Sequence, residues 1–117
     1  MSQYVNGNVK TFTAGGAIAV DLLVKISSGK LAVAGLLDEI LGTMEAASFA
    51  DGDVASVRLK SAAGTHSCVS ENAIAEGAAV YGRAGGKVDD VSTGATRLGI
   101  ALEAATAAND VIEVLFD

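Results

Sequence analysis

The residues able to do chemistry are few. His66 and Cys68 are the only histidine and cysteine in the 117-residue chain, and two positions apart they share one side of an extended segment. A thiol nucleophile needs a base, a third group to orient that base, and donors for the developing oxyanion. Neither a supporting acid nor a nucleophile elbow accompanies the pair. Residues 65–69 (THSCV) therefore read as an ordinary strand carrying a half-buried cysteine and a surface histidine. The consecutive acids Asp38-Glu39 and Asp89-Asp90 point to opposite faces if extended, so they are expected to be solvated charge and not a paired acid and base.

Two Gly-Lys pairs invite a phosphate-loop reading, in which backbone amides and a lysine cradle a phosphate. The spacing fails. Ahead of Gly86-Lys87 the position for the first glycine holds Tyr81 and the residue after the lysine is Val88; for Gly29-Lys30 the same positions hold Val24 and Leu31. Both pairs are read as hairpin turns. Asp51-Gly52-Asp53 has the opening of a calcium loop, but the twelfth position is Ala62, with no carboxylate to close the site. A turn is expected there, and no metal, cofactor or catalytic set emerges from the sequence.

The elements that would position these residues are mostly strands. Residues 9–13 (VKTFT), 22–26 (LLVKI) and 30–33 (KLAV) are short and rich in branched residues, and Ser27-Ser28-Gly29 between the last two is a hairpin-type turn. Residues 54–59 (VASVRL) alternate, with Ala55, Val57 and Leu59 on one face. A second hairpin is read from 79–83 (AVYGR) and 87–91 (KVDDV) across Ala84-Gly85-Gly86, and 98–103 (LGIALE) is expected to pair with 111–116 (VIEVLF). Helix is the minority reading. Leu36, Leu37, Ile40, Leu41 and Met44 have the spacing of a short amphipathic helix over 36–44, the alternative being a loop entering a strand near Ile40. The Ala-rich 104–108 (AATAA) has helical propensity over too few residues to stand alone.

An internal duplication is visible when the halves are overlaid. At an offset of 57, residues 41–59 and 98–116 share seven of 19 positions, among them Leu41/Leu98, Gly42/Gly99, Asp53/Asp110 and Val54/Val111. Upstream, AIAVDLLV (17–24) resembles AIAEGAAV (73–80). We expect an N-terminal arm or first strand over 1–12 and a single β domain over 13–117, its pseudo-repeat halves near 17–60 and 73–117.

Composition bounds the rest. The length suits one domain. With 22 Ala, 14 Gly and 13 Val, no Pro and no Trp, the chain relies on small-residue packing, and half of it is apolar, which argues against disorder. One cysteine excludes an intramolecular disulfide and leaves a structural zinc without thiolate partners. A net charge of −6 and eight scattered basic residues exclude phosphate-backbone binding as the main role, so no nucleic acid is expected as a partner. No apolar run is long enough for a membrane-spanning helix, and the N-terminus carries no secretory pattern, so synthesis and use in a cytoplasm, or assembly there into something larger, is expected.

The segment LGIALEAATAANDVIEVLF (98–116), preceded by ENAIAEGAAVYGRAGGKVDDVSTGATR (71–97), resembles the small capsid cement, or decoration, proteins of tailed bacteriophages. The resemblance is strong over 71–116 and looser over about 9–60. Its elements are an Ala-Ile-x-x-Gly-x-x-Val segment, a Gly-Gly-Lys turn, a Leu-Gly-Ile-Ala-Leu-Glu-Ala-Ala strand and a closing strand of alternating Val and Glu. Between Leu31 and Met44 the chain is more apolar than in its second copy.

The resemblance implies a mainly β fold, a compact β-sandwich, barrel or tulip-like domain with at most one or two short helices. It implies a structural virion protein on the outer face of the capsid, made in the host bacterial cytoplasm. Its partner would be the major capsid protein, whose neighbouring subunits it would cement against DNA pressure, and self-association as a trimer, or as a dimer, would be expected. The acidic charge suits an outside position, where packaged DNA does not repel it. The polar N-terminal segment is expected to be a capsid-contact arm through Gln3, Tyr4, Val5, Asn6, Val9 and Phe12, able to add a strand to a capsid edge; an ordinary first strand is the alternative. A non-viral β interaction module of surface-layer or adhesin type is the competing function.

Overall fold

A computed structural model describes residues 8–36 and 38–117. Ten strands follow in chain order: β1 (Val9–Thr13), β2 (Leu23–Ser27), β3 (Lys30–Val33), β4 (Gly42–Met44), β5 (Val54–Leu59), β6 (His66–Val69), β7 (Ala79–Gly82), β8 (Val88–Asp89), β9 (Arg97–Ala101) and β10 (Val111–Phe116). The fold is mainly β, as expected, with one 3₁₀ turn at Ala84–Gly86 among the described residues. The strands form two five-stranded antiparallel sheets, ordered β1-β5-β4-β2-β3 and β6-β10-β9-β7-β8. Both hairpins and the β9–β10 pairing form as read. Parallel bridges Ala14↔Leu31 and Ser70↔Val88 bring the first and third strands of each unit together, giving each a barrel-like closure.

The two sheet orders are the same order shifted by five strands, and the agreement extends to single hydrogen bonds. Ala14 N donates to Asp53 O as Ser70 N does to Asp110 O; Ile18 and Ser48 exchange bonds as Ile74 and Ala105 do; Lys60 N reaches Leu41 O as Asp117 N reaches Leu98 O. Equivalent residues lie 56 apart up to the first hairpin turn and 57 apart beyond it. The turn itself accounts for the difference, because Ser28-Gly29 in the first unit corresponds to Ala84-Gly85-Gly86 in the second.

The last glycine of that longer turn sits at the joint. Gly86 has φ 73°, its N–H donates to Ala34 O at 3.0 Å, and a Cβ there would press on Leu23 O, Val33 and Leu22. Only glycine combines the left-handed backbone with so close an approach. Around it the cores interlock. Leu23, Ala34 and Ile40 leave the first unit to join a cluster with Val80, Val88, Leu98, Ile112 and Val114 of the second. The first unit keeps a smaller cluster of its own, including Val24, Leu31, Met44 and Val57.

No helix forms over the described residues of 36–44; Leu37 lies outside them. The backbone groups there are committed to the sheet and to one carboxylate. Asp38 accepts from Gly35 N at 2.6 Å and from Lys25 Nζ at 2.8 Å, Leu41 N donates to Val24 O, and Gly42–Met44 pairs with β2 and β5. The alternative reading, a loop entering a strand near Ile40, is the one observed. AATAA is not helical either, since Ala105 bridges to Ile74 while Thr106 and Ala107 donate to Asp110.

The repeated Leu-Gly pair has a steric cause. A Cβ on Gly42 would overlap Arg58 O, and one on Gly99 would overlap Leu115 O, at equivalent points of the two sheets. Gly99→Ala and Gly42→Ala are therefore expected to lower stability by about 1–3 kcal/mol each, the cost of forcing extra volume into a closed contact. Gly16→Ala, where nothing lies within 4 Å of the added carbon, should stay within about 0.5 kcal/mol. Urea unfolding of the three variants checks this, and equal midpoints would refute the steric account.

Candidate functional site

The residues that first suggest chemistry are withdrawn from solvent. Cys68 is fully buried and burial pushes its thiol up to about 12, so the thiolate is scarce at neutral pH. His66, expected at the surface, is only 2% exposed. The alternation of β6 turns both inward, and the His66 ring stacks on Phe116 with centroids 4.3 Å apart. Its Nε2 lies 2.8 Å from Leu59 O. A carbonyl only accepts, so Nε2 carries the proton and donates, leaving Nδ1 as an acceptor. That Nδ1 is buried without a partner. Asp89 also departs from expectation: it is buried, accepting from Asn72 Nδ2 and from the amide of Asp90.

The two Gly/Asn-Asp turns are structural. Asp53 Oδ2 accepts from the amides of Phe49 and Ala50; Asp110 Oδ2 accepts from the amides of Thr106 and Ala107 and from the Thr106 hydroxyl. Gly52 (φ 95°) and Asn109 (φ 66°) hold the same left-handed position. The Thr106 amide and hydroxyl, then the Ala107 amide, hold the Asp110 carboxyl below the usual carboxylate range. No three His, Cys, Asp or Glu side chains among the described residues are grouped to hold a metal ion.

What remains is surface. At the first of these turns Phe49 is 81% exposed and Val54 78% exposed. The second turn is an internal control. It has the same two amide hydrogen bonds, with a third from the Thr106 hydroxyl, where the first has Phe49, so the phenyl ring makes none of the turn's hydrogen bonds. The outward faces of the sheets have also diverged. Glu45 and Arg58 of the first correspond to Leu102 and Leu115 of the second, one pair charged and one apolar.

A groove of about 390 Å³ runs between the units, with His66, Arg58 and the carboxylates of Asp21, Glu45, Glu103 and Glu113 among its walls. Arg58 is occupied, donating to Thr65 O and Ala63 O across the connector from β5 to β6.

The sequence model described as phage cement protein matches residues 4–116. The chain belongs to the phage cement protein family. A search of curated proteins returns no match. In this cement protein, Val9 and Phe12 lie in β1, which pairs with β5 from Val9↔Arg58 to Thr13↔Val54; Phe12 packs on the first core and Val9 is exposed. The expected boundary after residue 12 falls inside that strand. Gln3, Tyr4, Val5 and Asn6 lie outside the described residues. Sequence reasoning did not single out Phe49, Val54 or the groove. An aromatic where the second copy has Thr106 was the available signal.

Burial, aided by the nearby Arg58 charge, lowers the His66 pKa, while the bond to Leu59 and the charge of Glu45 oppose the shift. In the unfolded chain the ring takes up its proton near the usual 6.5; in the folded protein it does so only at lower pH. Stability should thus be complete above about pH 6.5 and decline as the pH falls through the folded value. Urea midpoints measured between pH 7.5 and 5 should fall for the cement protein, with less slope in His66→Phe; parallel slopes would refute the assignment.

Proposed function

We propose that this protein binds the outer face of the assembled phage capsid and cements neighbouring major capsid protein subunits, in a structural and non-catalytic role. The observation that carries this reading is family membership over residues 4–116. The negative net charge supports an outside position, and the sequestered thiol and imidazole support the absence of catalysis. The proposal includes self-association, with a trimer favoured over a dimer, and a contact arm through Gln3, Tyr4, Val5, Asn6, Val9 and Phe12. It also takes the chain as one domain of two half-repeats.

Phe49 and Val54 supply the apolar part of the capsid contact. Large apolar side chains this exposed, Phe49 where the second turn has Thr106 and Val54 at the start of β5, gain free energy when a partner removes them from water. Mixing the protein with expanded, undecorated cognate shells should give saturable co-sedimentation, and its absence would refute the cement reading. Phe49→Ser with Val54→Ser should weaken shell binding about tenfold or more while the free protein's stability changes by under about 0.5 kcal/mol per site. Light scattering of the free protein, with a trimer expected, reports the self-association.

A further inference from the structure

The two units finish their sheet edges differently. In each, a parallel bridge joins the first strand to the third, and the chain then leaves the edge, Gly15 N donating to Leu31 O as Glu71 N donates to Val88 O. Just beyond, the second unit seals what is left. Its Asp89 is buried, the carboxylate accepting from the Asp90 amide at 2.9 Å and from Asn72 Nδ2 at 3.1 Å. The corresponding residues of the first unit are Ala32, Val33 and Gly16, none of which has a side chain able to do this.

The edge of β3 is therefore open. Ala34 N donates to Leu23 O, so the antiparallel alternation makes Leu23 and Ala34 a hydrogen-bonded pair and Val24 and Val33 a non-hydrogen-bonded one. The N–H and C=O of Val33 point away from β2, and neither has a partner among the described residues. They lie at a second groove, of about 400 Å³, lined by Gly15, Gly16, Ala17, Ile18, Ala32 and Val33. Lys30 and Asp51 at its margin are paired with each other at 2.8 Å. A free donor and a free acceptor on a strand edge, in a groove without net charge, suit an extended main chain with uncharged side chains.

Residues 1–7 (MSQYVNG) carry no charged side chain. They lead into β1, which runs parallel to β3 at their bridge, so they start from the end of the sheet away from Val33. At the rise of a strand, Asn8 to Ala14 covers about 20 Å and Leu31 to Val33 about 7 Å more in the same direction. Seven fully extended residues reach at most about 25 Å. The segment is too short to lie in the groove of its own chain.

We propose that residues 1–7 of one copy add a strand to the β3 edge of a neighbouring copy. This deepens the proposed self-association and rests on it. The contact joins two different surfaces, as a ring of copies requires, and the added strand keeps its other edge for the shell.

Cysteine pairs test this in full chains, because Cys68 is buried and takes no part. One of Gln3→Cys, Tyr4→Cys and Val5→Cys, mixed with Ala32→Cys under mild oxidation, should link chain to chain. The same variants mixed with Thr106→Cys, exposed and outside the groove, should give about tenfold less, since docking raises the effective concentration only in the first mixture. Equal yields would overturn the proposal. Gly16→Asn with Ala32→Asp, which installs the seal of the second unit, should weaken self-association about tenfold or more by light scattering. Ala108→Asp, equal in charge and exposed in a loop, should leave it unchanged. Undiminished self-association in the sealed variant overturns the groove as acceptor and leaves self-association standing. A monomeric unmodified protein defeats self-association. If a synthetic peptide of residues 1–8 then shifts the NMR signals of Ala32 and Val33, the groove is upheld as its acceptor; if it does not, both readings fall.

Discussion

The structure depends on apolar burial across the joint between its two units. Each unit has five short strands in fewer than 60 residues, a size at which a core without disulfide or metal is marginal. The chain has one free cysteine. Stability must come from sharing, and Leu23, Ala34 and Ile40 are lent by the first unit to the core of the second. The joint is thus part of the interior and not a flexible seam. His66 bonded to Leu59, Arg58 bonded to Thr65, and Gly86 bonded to Ala34 fix its geometry from three sides.

Much of the fold was legible because strand periodicity and turn chemistry are local. The hairpin at Ser28-Gly29 and the alternation of Ala55 and Val57 follow from residues within a few positions of one another, and the β9–β10 pair joins strands consecutive in the chain. The false helix over 36–44 shows the limit. Leu36, Ile40 and Met44 have helical spacing, yet Leu36 is exposed and the other two are apolar for separate tertiary reasons: Ile40 feeds the second core and Met44 the first. Burial at the joint produced the pattern that periodicity read as one face of a helix.

The site was less legible for a similar reason. Whether His66 is exposed depends on which face of β6 meets Phe116, fifty residues away, and no local rule supplies that. The groove arises only when Asp21 and Glu45 of one unit face Glu103 and Glu113 of the other. Phe49 was accessible in principle, since the repeat itself offers Thr106 as its control. Comparing copies of a duplicated sequence separates what folding requires from what differs, and the differences mark the surfaces where one copy has a task the other lacks.

Gly86 gives the molecule a direction. A particle with two interchangeable halves could settle on a lattice position in either of two poses related by swapping them. The longer turn that seats Gly86 against the first unit, together with Glu45 and Arg58 where the second unit has Leu102 and Leu115, removes that equivalence. The molecule therefore carries a head and a tail despite its repeated plan, and its two ends offer different surfaces to whatever meets them.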